Sequence, residues 1–313
     1  MIISASRRTD IPTYYSDWFY NRIKEGFVLV RNPMNFQQVS KIKLSPDVVD
    51  GIVFWSKNPM PLLKRLNELD SYMYYFQFTI TPYGKDIEPN VPQKNTEAIS
   101  AFKRVSDIVG EERIIWRYDP ILINMKYNMN YHIKAFEHII KELHTYTQRV
   151  TISFIDIEYK GVKNNINELN LTEFSPNMQI ELSSQLADIA KSYRLSIDTC
   201  AENLDLREYG IERARCIDNL LFEKLLSCDL TIGKDKNQRL ECGCVMSIDI
   251  GMYNTCMNGC RYCYANYSKN AIEKNLTKHN PLSSLLFGEI RESDKISERV
   301  VKSYKSYQTL SFI

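Results

Sequence analysis

Six short runs of apolar and β-branched residues recur along the chain, each closed by polar or turn-forming residues: 2–6, 51–55, 74–81, 113–116, 150–157 and 195–199. They are nearly continuous rather than alternating, the pattern of strands buried on both faces. Between them the apolar positions take a helical spacing. Residues 14–25 run to Gly26, a C-cap residue, and residues 62–69 follow Pro59 and Pro61, which suit a helix start. A helix over 95–109 ends at Gly110. Residues 131–146 carry Ile133, Phe136, Ile139, Ile140 and Leu143 on one stripe, and 176–193 carry Ile180, Leu182, Leu186, Ile189 and Ala190. Another helix is expected near 218–226, and residues 27–31 and 37–44 read as an added hairpin.

Regular alternation of strand and helix implies parallel strands joined by right-handed crossovers. Six such units fall short of the eight of a closed barrel. The expected fold is therefore α/β, a partial (β/α)6 TIM-like barrel with a C-terminal cysteine-rich metal-cluster extension. The alternative is a doubly wound open parallel sheet. The alternation stops beyond Cys228. Residues 1–228 are then the partial barrel, and residues 229–313 an iron–sulfur-binding extension packed on its mouth, loop-rich over 229–268 and closed by a helix over 290–307.

Ligands of such folds bind at the C-terminal ends of the strands. The first strand runs into Arg7, Arg8 and Asp10, and the second into Ser56, Lys57 and Asn58. The third carries Gln77, Thr79 and Thr81 at strand period, all on one side. The fourth ends in Arg117 and Asp119, the fifth holds Ser153 and Asp156, and the sixth ends in Asp198, Cys200 and Glu202. Asp10 before Ile11-Pro12 and Asn58 before Pro59 also suit helix caps. Together these ends predict a mouth carrying both charge signs. Arg7, Arg8, Asp10, Lys57, Arg117, Asp119, Asp198 and Glu202 are its candidate catalytic groups, and Ser56, Asn58, Gln77 and Thr79 its candidate cofactor-binding groups. The cations suit a carboxylate or a phosphate.

With 313 residues, 44% hydrophobic and 25% charged, the chain can bury a substantial core. Its apolar runs are too short to span a bilayer, and its first charges follow a tiny apolar run, unlike a signal peptide. A cytoplasmic location and no membrane partner are expected. The net charge of +2 from 40 basic and 38 acidic residues gives no global field to recruit nucleic acid.

In a reducing compartment, clustered thiols are metal ligands or catalytic groups more often than disulfides. None of the eight cysteines precedes Cys200, and seven lie between Cys216 and Cys263. Cys228 ends an apolar helical pattern and reads as a buried structural thiol. The other seven divide into three and four. Cys256, Cys260 and Cys263 are spaced x3 and x2, with Gly259 allowing a tight turn. Three thiolates leave one iron of a cubane open, whereas structural clusters take four. Cys200, Cys216, Cys242 and Cys244 have the count for a second, fully ligated iron–sulfur cluster or a structural zinc.

The triplet, with Tyr262 before its last cysteine, resembles the signature of the radical S-adenosylmethionine (SAM) enzymes. More broadly, Ser4-Ala-Ser-Arg-Arg-Thr-Asp-Ile-Pro12, Phe54-Trp-Ser-Lys-Asn-Pro59, Trp116-Arg-Tyr-Asp-Pro120 and Cys242-Gly-Cys244 with the triplet resemble a bacterial family called domain of unknown function 1848. That resemblance covers nearly the whole chain. The radical SAM resemblance implies a [4Fe-4S] cluster on Cys256, Cys260 and Cys263, with Tyr262 packed beside the cofactor. It further implies SAM at the open iron, cleaved reductively to a 5′-deoxyadenosyl radical, with flavodoxin or ferredoxin as electron donor. The implied activity is on a small polar or anionic substrate in the mouth. Two other functions stay open: iron–sulfur electron transfer or redox sensing without SAM chemistry, and a zinc-stabilised binding protein.

Overall fold

The computed structural model describes residues 1–306. The chain opens with β1 (Ile2–Ala5), α1 (Ile11–Tyr14), α2 (Ser16–Glu25) and the hairpin β2 (Phe27–Arg31) and β3 (Gln38–Lys43). Next come β4 (Gly51–Ser56), α3 (Met60–Leu63), β5 (Tyr74–Thr79), α4 (Ile99–Val109), β6 (Ile114–Ile121), α5 (Met129–Leu143) and β7 (Arg149–Phe154). After the short α6 (Lys160–Asn164) and α7 (Ile166–Leu169) lie α8 (Pro176–Ser192), β8 (Ser196–Thr199), β9 (Glu212–Arg213) and α9 (Asn219–Leu226). The last elements are β10 (Asp229–Leu230), β11 (Ile248–Asp249), α10 (Lys269–Leu276), β12 (Lys295–Glu298) and β13 (Lys305–Ser306).

Eight strands form one parallel sheet in the order β11-β1-β4-β5-β6-β7-β8-β9. The order starts at one edge and stops at another. An open parallel sheet, the alternative expected from the sequence, fits this pairing, and a closed TIM-like barrel is not shown. Both faces are buried, which is why the strand runs are nearly continuous in apolar residues. On one face Phe54, Phe76, Phe78, Trp116 and Ile152 pack with Phe19 of α2, Phe102 of α4, Phe136 of α5 and Leu186 of α8. On the other, Ile2, Val53, Tyr75 and Ile115 pack with Phe222 of α9 and with Cys216, Ile217 and Cys244. A Cβ on Gly51 would lie 2.1 Å from the Phe222 ring, so only glycine allows β4 to start beneath that helix.

Strand period decides what comes next on that second face. Two residues beyond Ile2, Val53, Tyr75 and Ile115 stand Ser4, Trp55, Gln77 and Arg117. Side chains two apart share a face. The second face thus turns from apolar to polar toward the C-terminal ends of the strands, where a cavity opens.

The hairpin at residues 27–43 forms as expected. The closing helix expected over 290–307 does not. Lys295–Glu298 is the strand β12, paired parallel with β3, and Lys305–Ser306 pairs antiparallel with β10; Tyr307 lies outside the described residues. All four residues of β12 are exposed, so this segment has no buried stripe to nucleate a helix, whereas the edge of β3 offers unpaired backbone groups. The helix expected over 14–25 is broken at Tyr15 into α1 and α2, and that over 62–69 is α3 followed by a 3-10 turn at Leu66–Leu69. Among the described residues no helix is long and apolar enough to cross a membrane.

One buried group ties stability to acid. His132 of α5 is fully buried, accepts from the Tyr118 hydroxyl at Nδ1 (2.8 Å) and donates from Nε2 to the Leu122 carbonyl (2.9 Å), the bonds of a neutral ring. Burial lowers its pKa to about 4 from 6.5. A group kept neutral in the fold protonates first in the unfolded chain, so stability falls as pH drops from 6.5 toward 4. The expected loss is about 3 kcal/mol at 1.4 kcal/mol per unit. Urea unfolding at stepped pH checks it: His132→Gln is expected to flatten this part of the acid limb.

Candidate active site

The cavity has a volume of about 520 Å³ and is walled by the ends of β1 and β4 to β8 together with the chain from Asn237 to Asn266. Arg7, Arg8, Asp10, Ser56, Lys57, Thr79, Arg117, Asp119, Glu202 and Tyr262 all line it. So do all seven cysteines set apart by spacing, Cys200, Cys216, Cys242, Cys244, Cys256, Cys260 and Cys263, whereas Cys228 does not. Three nominated residues stand off its wall. Gln77 lies beneath it, donating to the Cys216 carbonyl at 3.0 Å. Asp198 is drawn to Arg149 (3.6 Å), and burial raises its pKa to about 6 against that pairing. Asn58 serves the turn after β4, its carbonyl accepting from Thr13 Oγ1 at 2.8 Å.

Three carboxylates organise the wall, and only the first was nominated from the sequence. Asp10 caps α1 through Thr13 N (3.0 Å) and also accepts from Ser56 Oγ (2.8 Å), Lys57 N (2.9 Å) and Asn258 Nδ2 (3.2 Å). Its acceptor capacity is taken up, so it ties the β1 and β4 ends to the triplet loop. Asp249 of β11 accepts from Ser4 Oγ (2.9 Å), Ser6 Oγ (2.6 Å) and Arg7 N (2.8 Å). Glu88, in the loop after β5, is buried and accepts from Lys57 Nζ (2.8 Å), Thr81 Oγ1 (2.7 Å), Lys94 Nζ and the Tyr262 hydroxyl. Although burial raises its pKa, the two ammoniums hold it down at about 2. The signal for Asp249 was an acid between Ile248 and Ile250; Glu88 had no local signal beyond lying in the loop after a strand.

Arg117 crosses the floor. It is buried, pairs through two nitrogens with Asp119, and gives its Nη1 to Gln77 Oε1 (3.2 Å) and Cys216 Sγ (3.0 Å). Trp55 covers it, the guanidinium carbon 5.1 Å from the ring centre. Glu202 also lines the cavity and accepts from Phe154 N at 2.8 Å. Burial pushes its pKa up to about 7. A carboxyl in that range exchanges a proton near neutral pH. Arg239, paired with Asp156 and Tyr159 on the same wall, adds a cation that the strand-end rule does not reach.

The triplet sits in a tightly held loop. Gly259 has φ +68°, the left-handed region, and a Cβ there would lie 3.0 Å from Pro89. A Cβ on Gly161 would fall 2.1 Å from the Cys263 carbonyl oxygen. Asn90 and Asn165 donate to the loop carbonyls of Met257 (2.7 Å) and Arg261 (2.9 Å). The backbone N–H of Asn258 lies near Cys256, and those of Ala265 and Asn266 near Cys263, where each favours the thiolate. Hydrogen bonds from such donors tune the potential of cluster-ligating thiolates. Asn266 Oδ1 is buried on the same wall without a partner.

Among the described residues no three His, Cys, Asp or Glu side chains are grouped to hold a metal ion. In a cubane each sulfur binds its own iron, so its ligands stand apart instead of meeting at one ion. Three thiols with N–H donors on one cavity wall fit that donor set in chemistry. The fold and this wall define a mixed α/β protein with a polar, cysteine-lined cavity. A family model described as "Domain of unknown function (DUF1848)" matches residues 2–265, and the chain belongs to that family. No curated protein and no solved structure matches it.

Proposed function

We propose that this protein is a cytoplasmic iron–sulfur enzyme of radical SAM type, acting on a small polar or anionic substrate held in the cavity. The observation that carries the reading is the convergence of the x3, x2 cysteine triplet and the charged strand ends on one cavity wall. Cys256, Cys260 and Cys263 would hold a [4Fe-4S] cluster, and Cys200, Cys216, Cys242 and Cys244 stand outside this part of the reading. When bound, the cluster supplies an open iron and an electron for the reductive cleavage of SAM. A flavodoxin- or ferredoxin-type protein is the fitting donor. The six strands β1, β4, β5, β6, β7 and β8 follow one another without reversal, the order of a partial (β/α)6 barrel, and that architecture belongs to the proposal.

The chain's own residues supply the rest. Lys57 and Glu88 orient the Tyr262 ring beside Cys260, with Lys57 Nζ 5.6 Å from the ring centre. Arg7, Arg8 and Arg239 offer cations to a carboxylate or phosphate. Glu202 holds or gives a proton at the cavity. Burial of the wall keeps water from a reactive intermediate.

Anaerobic purification with iron and sulfide quantified tests the reading. About four irons per chain are expected, lost in Cys256→Ala, with an electron paramagnetic resonance spectrum that changes when SAM is added. Reduction should then release 5′-deoxyadenosine. Iron-free protein, or iron without response to SAM and without 5′-deoxyadenosine, would overturn it.

A further inference from the structure

Four thiols lie near one another on the cavity wall. The Cys200 and Cys216 sulfurs are 3.2 Å apart, and Cys244 neighbours both Cys216 and Cys242. Ile217 N–H donates to Cys244 Sγ at 3.3 Å, which holds that thiol in place. None of the four is in a disulfide. Around a tetrahedral zinc, with Zn–S near 2.3 Å, sulfurs stand about 3.8 Å apart. The Cys200–Cys216 contact is closer than that, and no three of these side chains are grouped for an ion. The two residues also differ in exposure, Cys200 part-buried and Cys216 at 3%, and both line the cavity. Arg117, itself held by Asp119 and Gln77, places a guanidinium nitrogen 3.0 Å from Cys216 Sγ. Ala201, directly after Cys200, takes φ +55°, a left-handed backbone conformation disfavoured for a non-glycine residue.

We propose that Cys200 and Cys216 are a redox-active dithiol that reduces a small disulfide admitted to the cavity. An accessible sulfur, a buried partner in contact with it and a fixed cation beside the partner are what thiol–disulfide exchange requires. Cys200 Sγ bonds to one sulfur of the substrate and breaks its S–S bond; the departing sulfur takes up the Cys200 proton and leaves as a thiol. Cys216 Sγ then attacks Cys200 Sγ, closing the Cys200–Cys216 bond and breaking the mixed disulfide. The second thiol leaves with the Cys216 proton. Two electrons pass from the protein to the substrate, and Arg117 stabilises the negative charge that develops on Cys216. This activity is independent of any cluster on the triplet.

The test uses reduced, full-length protein, oxidised glutathione as probe, and anaerobic conditions. Two reduced glutathiones per chain are expected, with one disulfide mapped by mass spectrometry between Cys200 and Cys216 in the unmutated protein. Cys200→Ser is expected to release none, and Cys216→Ser to stop with glutathione bound at Cys200. A chain carrying Cys256→Ser, Cys260→Ser and Cys263→Ser, which is expected to lose the cluster, should still release two glutathiones, and that difference separates this proposal from the cluster. Absence of released thiol, a disulfide mapped elsewhere, or stoichiometric zinc or iron that the triple variant keeps and Cys216→Ser loses would each overturn it.

Discussion

Glu88→Gln is expected to lower the free energy of unfolding by about 3–5 kcal/mol, the cost of leaving buried charge without its partner. Lys57 and Lys94 share this one carboxylate, and its removal strands two ammoniums in the protein interior. The acid dependence gives a second readout. The folded-state pKa of about 2 lies below the ordinary 4.5, so the group's contribution is present above pH 4.5 and lost as pH falls through 2. Its size is about 3 kcal/mol, and in Glu88→Gln that part of the acid limb should vanish. Guanidinium unfolding between pH 2 and pH 7 measures both. An unchanged midpoint at neutral pH would mean that the lysines find other partners.

Arg117→Met is expected to cost a similar amount, about 3–5 kcal/mol, because Asp119, Gln77 Oε1 and the Cys216 sulfur all lose their donor at once. The double variant Arg117→Met, Asp119→Asn should recover much of that loss. Removing both charges of a buried pair is far cheaper than removing one. Thermal or urea unfolding of the two single variants and the double one closes the cycle. Additive losses would mean that Arg117 acts through its packing under Trp55 and not through its charge.

The strands and crossover helices were legible because each carries its own period. β4 and β5 read as apolar runs, and α5 and α8 as stripes, whatever their partners. What escaped notice was set by pairing across the chain. β11 is two residues long and has no period of its own; it is a strand because Ile3 and Ser4 pair with Ile248 and Asp249. β12 is fully exposed, so a helix was the natural reading of its charges until the edge of β3 claimed it. The site divides the same way. Strand ends pointed to Lys57, Arg117 and Glu202, and spacing pointed to the cysteines. Glu88 was invisible because its importance lies in Lys57 and Tyr262, brought to it from separate parts of the chain, beside Lys94 of its own loop. Gln77 was assigned to the right face but one layer too deep to reach the cavity.

The pairing of β11 with β1 also sets a schedule for biosynthesis. The strand β1 leaves the ribosome some 240 residues before its neighbour Asp249, which gathers Ser4, Ser6 and Arg7. The triplet loop follows later still, docking on Asp10 through Asn258. Contacts so distant in sequence are the slow ones to close. A nascent chain stalled before residue 249 can fold its crossover helices but presents a cavity with one wall missing and its N-terminal arginines untethered. Any cofactor loaded at Cys256, Cys260 and Cys263 must therefore be inserted after every strand of the sheet has been made.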